Sequence, residues 1–169
     1  MKYMHFNIED IPYEDNSFDI IIANHMLYHV PNRNKALEEV RRVLKPEGTF
    51  YCSTIGENHL KEFGELLQRF DPNLDYLSAR ENAIRFGVGN GSNQLRSYFN
   101  EVVYKGFHGG LNITDEKAIV DYLISSNNDL KKTLCDEKLL EFVYFLASEK
   151  EANNGFIYIT KETGLFASI

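Results

Sequence analysis

Three short stretches hold side chains whose types and spacing could do chemistry. Asn7-Ile8-Glu9 sets an amide and a carboxylate two residues apart. They can meet the polar edge of a ligand, or they can simply close an Asx turn ahead of Pro12. Ala23-Asn24-His25-Met26 follows an apolar run and leads to Tyr28 and His29. An imidazole at that place is either a candidate general base or a packing element. Gly87-Val88-Gly89-Asn90-Gly91 has the spacing of a phosphate-binding loop, but Glu81 to Phe86 ahead of it makes a poor strand. It therefore reads as a flexible, substrate-side loop. Asp15 and Asp19 flank the start of an apolar run, where a carboxylate pair would face the edge opposite a ligand. His5, His59 and His108 are dispersed and lack ligand spacing, so no metal is expected.

These residues need a frame, and the composition allows one domain over residues 1–169. The chain has 169 residues, 43% hydrophobic and 13% aromatic, enough for a single core. A net charge of −7 opposes phosphate backbones and anionic membrane surfaces, so neither nucleic acid nor membrane is expected as a partner. Cys52 and Cys135 are too far apart to read as a zinc or redox pair, which fits reduced thiols in a cytoplasmic protein. No segment has the unbroken apolar length of a membrane span.

Periodicity supplies the elements. Tyr3 to Phe6 reads as a short strand, and Phe18 to Ala23 as a parallel strand covered on both faces, because its β-branched run does not alternate. Ala36, Leu37, Val40, Val43 and Leu44 share one helical face, with Glu38, Glu39, Arg41 and Arg42 largely elsewhere. Lys45-Pro46-Glu47-Gly48 ends that helix and Thr49 to Thr54 follows as a strand. Leu60, Phe63, Leu66, Leu67 and Phe70 mark a second helix. Residues 71–98 form a substrate-side insertion or loop, with a short helix possible at Leu77 to Ala83. Phe99 to Phe107 reads as a strand. Asp115 to Ser125, capped by Thr114 with Ala118, Ile119, Tyr122 and Leu123 inward, and Glu137 to Ser148 read as helices. Phe156 to Thr160 is a strand, followed by a turn at Lys161 to Gly164 and the run Leu165 to Ala167. Strand and helix alternate as in a doubly wound α/β sheet.

The string from Asn7 to Gly48, NIEDIPYEDNSFDIIIANHMLYHVPNRNKALEEVRRVLKPEG, covers about a quarter of the chain. It resembles the middle of the class I S-adenosylmethionine-dependent methyltransferases of the type 11 branch. Its Ile-Pro-Tyr, Asp-x-Ser-Phe-Asp, His-Val and Leu-Lys-Pro-x-Gly anchors stand in the family's order. The resemblance implies a Rossmann-like sheet and S-adenosylmethionine as cofactor. Asn7 would meet the adenine amino group, the Ile8 backbone a ring nitrogen, and Glu9 would stand beside them. Ala23, Asn24, His25 and Met26 would lie under the methionine part. His29 would face a small-molecule acceptor as a catalytic base or serve as structure. Glu47 replaces the usual glycine, which ordinary backbone torsions would permit.

By the same resemblance the chain begins after the family's first strand, glycine-rich loop, helix and acid-ended second strand. The expectation is an amino-terminally truncated methyltransferase domain that binds the cofactor poorly alone, or a non-catalytic remnant that folds and self-associates. The missing strands would leave an open edge beside Phe18 to Ala23, and a homodimer is the simplest cover.

Overall fold

The computed structural model describes residues 3–169. In chain order the elements are β1 (Phe18–Asn24), α1 (Arg33–Val43), β2 (Leu44–Ile55), α2 (Lys61–Phe70), α3 (Ser78–Phe86) and α4 (Gly91–Leu95). Then come β3 (Val102–Ile113), α5 (Glu116–Ser126), α6 (Asn128–Thr133), α7 (Asp136–Ala152) and β4 (Ile157–Ser168). The strands form one open sheet in the order β1-β2-β4-β3. The chain divides into two compact units: the stretch up to Glu57 with Ala79–Phe107 and Glu162–Ile169, and Asn58–Ser78 with His108–Lys161.

In the first unit, β1 lies parallel to β2, paired from Ile20↔Thr49 to Asn24↔Ser53. The crossover between them is α1, whose Ala36, Leu37, Val40 and Val43 are fully buried. Asn32 caps it by accepting from the Lys35 backbone N–H at 3.2 Å. The register jumps between Phe18↔Leu44 and Ile20↔Thr49, so Lys45 to Gly48 bulge within β2 instead of forming a separate turn. Glu47 keeps an ordinary φ there. Gly48 is required for close approach, since a Cβ would stand 2.9 Å from the Leu44 side chain and 3.0 Å from the Asp19 carbonyl oxygen.

Several expectations for this unit are corrected. Tyr3 to Phe6 is exposed and not a strand, because an extended segment joins a sheet only by bonding to a neighbour, and β1 pairs with β2 alone. Nor is β1 covered on both faces: Ile20 is 58% and Ile22 63% exposed. β3 starts later than Phe99, which instead stacks on Phe50 at 5.6 Å, and it runs on to Ile113. No turn interrupts β4 at Lys161 to Gly164. Thr163 to Ser168 pair antiparallel with Ile55 to Phe50, and Gly164 leaves room for the Tyr104 ring. That pairing continues the strand where local sequence suggests a break.

The second unit is mostly helical. Phe63, Leu66 and Leu67 of α2 are buried, and α7 meets α2 through Phe142 against Phe70, ring centroids 5.0 Å apart. The cap of α5 is Asp115, accepting from the Lys117 backbone N–H at 2.9 Å, rather than Thr114. Ile119, Val120 and Leu123 face inward, while Ala118 and Tyr122 are exposed, because the buried stripe is turned by one residue. Replacing the fully buried Leu67 with alanine should cost about 2 to 5 kcal/mol in urea unfolding. A loss below about half a kilocalorie, typical of surface positions, would contradict the packing.

Candidate functional site

The carboxyl end of β1 opens on a cleft of ≈ 590 Å³. Asn7, Ile8, Ala23, Met26 and His29 line it, joined by residues not expected from sequence, among them Phe6, Ile11, Ile22 and Val30. Its wall is mainly apolar, and no lining residue carries a carboxylate. Asn7 is engaged locally: its side-chain oxygen accepts from the Glu9 N–H, and its carbonyl accepts from Asp10 N–H, both at 3.0 Å. The Asx turn is therefore real. It leaves the amide NH2 and a second lone pair on the oxygen for a ligand. His29 is exposed and meets the Tyr28 ring edge-on at 4.5 Å.

The other expected residues have different work. Glu9 reaches the start of α1, where its carboxylate accepts from the Asn32 N–H at 3.0 Å. Asn24 accepts from the Ser53 hydroxyl at 3.2 Å, and the His25 N–H donates to Ser53, at 3.2 Å to its carbonyl and 3.1 Å to its hydroxyl. His25 takes a left-handed φ of 49°, which turns the chain sharply at the end of β1. These bonds latch the ends of β1 and β2 together. They do not place Glu9, Asn24 or His25 on the cleft lining.

What holds the near wall is a group expected on the solvent side of α1. Glu39 is buried, and its carboxylate accepts from Arg42 at 2.7 and 2.9 Å and from the Ile11 N–H at 3.0 Å. Arg42 also donates to the carbonyls of Ile11 and Tyr13 and to Asp15. The Arg42 hydrogen bonds first, then the Ile11 N–H, hold the Glu39 carboxyl down at about 2. Asp15 thus belongs to a clamp, and Asp19 to an ion pair with Lys45 at 2.7 Å. Neither is half of a catalytic pair.

Gly87 to Gly91 is a hydrogen-bonded turn between α3 and α4, not the flexible loop expected. The Gly87 N–H donates to the Asn90 side chain at 2.9 Å and the Gly91 N–H to the Gly87 carbonyl at 2.8 Å. The backbone N–H groups of Gly87, Val88, Asn90 and Gly91 are already used. Beside it Arg33 donates to Gln94 and to the Arg85 carbonyl, each at 2.7 Å, and lies over the Phe86 ring. Burial, then the nearby Arg85 charge, lowers the Arg33 pKa. Cys52 is buried, which pushes its thiol up to about 12. Among the described residues no cluster of three metal-ligating side chains occurs, and no helix is long and apolar enough to cross a membrane.

Residues 1–52 match a family model described as a methyltransferase domain. The ubiquinone/menaquinone biosynthesis C-methyltransferase UbiE of Rickettsia typhi is 34% identical over 128 residues, 66% of this chain and 51% of that protein. The glycine/sarcosine/dimethylglycine N-methyltransferase of Actinopolyspora halophila is 34% identical over 91 residues, 50% of this chain and 16% of that protein. The chain thus spans about half the length, or less, of these curated relatives. In structure it resembles a methyltransferase candidate from Bacillus halodurans, with a TM-score of 0.57 at 16% identity, covering 99% of this chain and 76% of that one. At that identity the likeness is one of fold.

The depressed Glu39 pKa fixes the sign of a pH effect. Its stabilisation is fully present above the unfolded value near 4.5 and is lost as pH falls toward about 2. Urea midpoints should therefore drop between about pH 4.5 and 2, and Glu39→Gln should flatten that part of the curve. An unchanged slope in the variant would remove Glu39 from the cause.

Proposed function

We propose that the chain is part of a class I S-adenosylmethionine-dependent methyltransferase, a reading its similarity to that family supports, and that the cleft at the end of β1 is the adenosine and sulfur side of its cofactor site. The observation that carries this reading is the meeting of Asn7, Ile8, Ala23 and Met26 on one apolar cleft at a strand's carboxyl end. Ligands of open α/β sheets bind at that end. Bound there, the cofactor would supply an electrophilic methyl group. The chain's own part is to present the Asn7 amide and Ile8 backbone to a purine edge, and to keep water from the thioether with Ile22, Ala23 and Met26. Charge neutralisation at a methyl sulfonium needs approximation and a dry site more than a strong base. His29 lines the cleft with no hydrogen bond orienting its ring among the described residues, which favours a boundary role facing the acceptor.

The fit is partial. The lining offers no carboxylate for ribose hydroxyls, since Glu9 is bonded to the start of α1. This favours, as a second reading, a chain that folds without using the cofactor. The acceptor class is a small molecule. A C-methyltransferase and an N-methyltransferase stand among the relatives, so their likeness does not choose the methylated atom.

Two outcomes are expected. A lining without a carboxylate for the ribose hydroxyls forgoes charged or bidentate hydrogen bonds worth about 1.5 to 3 kcal/mol each, so calorimetry with S-adenosylhomocysteine should give a dissociation constant of about a millimolar. Ala23→Trp, which would fill the cleft, should abolish it. Micromolar affinity contradicts the partial site, and no binding at about ten millimolar supports the second reading. Because β1 is an edge strand with Ile20 and Ile22 bare, sedimentation should show self-association at tens of micromolar. A clean monomer there overturns that part.

A further inference from the structure

The second unit contains a cavity that the cofactor reading does not use. It has a volume of ≈ 570 Å³, and Leu60, Phe63, Leu111, Ile113, Ala118 and Tyr122 form its apolar surface. Lys161 and Asp115 stand on the same lining. We propose that this cavity binds a small molecule with a planar aromatic body and one anionic head group. The inference rests on the second unit alone and is independent of the methyltransferase reading.

Three features set the ligand class. The first is an aromatic platform. Phe63 and Tyr122 lie 5.1 Å apart with planes tilted by 32°, and Tyr76 meets Phe63 edge-on at 5.8 Å. The Tyr76 and Tyr122 hydroxyls are 3.3 Å apart, which restrains the exposed Tyr122 ring on the cavity side of α5. Such a surface favours an offset or edge-on aromatic guest over a flexible aliphatic one.

The second feature is charge. Lys161 is exposed and belongs to no ion pair among the described residues. Asp115 does not cancel it cleanly, because its carboxylate accepts from the Lys117 N–H and sits beside the Lys117 ammonium. The caps of α2 and α5 also border the cavity, Leu60 with His59 before it and Asp115 with Thr114 before it. The positive end of α2, which its cap residue Leu60 leaves without a side-chain acceptor, adds to Lys161, whereas the α5 end is already met by the Asp115 carboxylate.

The third feature is a shape held under strain. Leu60 is buried with φ 60° and ψ 25°, a left-handed conformation that costs a leucine energy. Its N–H is fixed to the Thr160 carbonyl at 2.9 Å, and Glu62 accepts from the Thr160 N–H at 2.8 Å and from its hydroxyl. Those bonds tie the start of α2 to β4 next to Lys161, so the cation and the apolar floor are held in one frame.

The test uses naphthalene-2-carboxylate as probe and naphthalene-2-methanol as its neutral counterpart, titrated into the whole chain and read by amide chemical shifts. The acid should bind in the range of tens to hundreds of micromolar, with shifts confined to residues 59–63, 111–118 and 161. Lys161→Ala should weaken the acid about fivefold, the size of an exposed charge contact, and leave the alcohol unchanged. Ala118→Trp, a change at an exposed position verified by circular dichroism, should abolish both. Equal affinity of acid and alcohol, or shifts spread to Leu140 and Tyr144 on the outside of α7, would overturn the proposal. So would displacement of the probe by self-association in sedimentation, which would make a second copy the occupant.

Discussion

Burying a carboxylate costs several kilocalories unless each oxygen is met by a donor, and Glu39 survives in the core of the first unit because all of its demand is met. Arg42 supplies two bonds from one turn further along α1, and the Ile11 N–H supplies the third. Since Arg42 also gathers the carbonyls of Ile11 and Tyr13, a stretch with no secondary structure of its own is held against a helix. Ile11 and Val40 then form adjoining parts of the cleft wall. Removing Arg42 would strip two of the three hydrogen bonds from a buried carboxylate, so the clamp works as a unit. The cleft depends on it.

The other constraint is the parallel pairing of β1 with β2. It requires a crossover, which α1 provides, and it brings Ala23 and Met26 to the end where the Asn7 turn lies. Ser53 receives the left-handed His25 across the strand ends, so the turn after β1 is set by a bond from the neighbouring strand. The bulge at Lys45 to Gly48 absorbs the mismatch in register at the other end. Each device is local, and together they leave one open concave surface.

What could be read from the chain follows the range of the interactions involved. The β1, α1 and α2 segments announce themselves because apolar spacing is a short-range signal, and Val40, Phe63 and Leu67 are buried as that spacing implies. The unbroken β4 was not legible, since Lys161 to Gly164 has turn-like composition and only pairing with residues more than a hundred positions earlier extends it. Tyr3 to Phe6 has strand composition without a strand beside it. At the cleft, Asn7, Ile8, Ala23, Met26 and His29 share one lining, whereas Glu9, Asn24 and His25 bond to the scaffold. Glu39 carried no local sign of burial beyond an arginine three residues on. Its donors come from 28 residues away and from its own helix together.

The proposed cofactor surface joins Asn7, Ile8, Ala23 and Met26, which line one cleft. Titration of 5′-methylthioadenosine into the chain, followed by backbone amide shifts, tests this most directly. The expected result is saturable movement of those four amides at about millimolar ligand, with Glu39→Gln weakening it by loosening the Ile11 wall. Movement centred on Gly87 to Gly91, or none in the β1 cleft while the second unit responds, would contradict it.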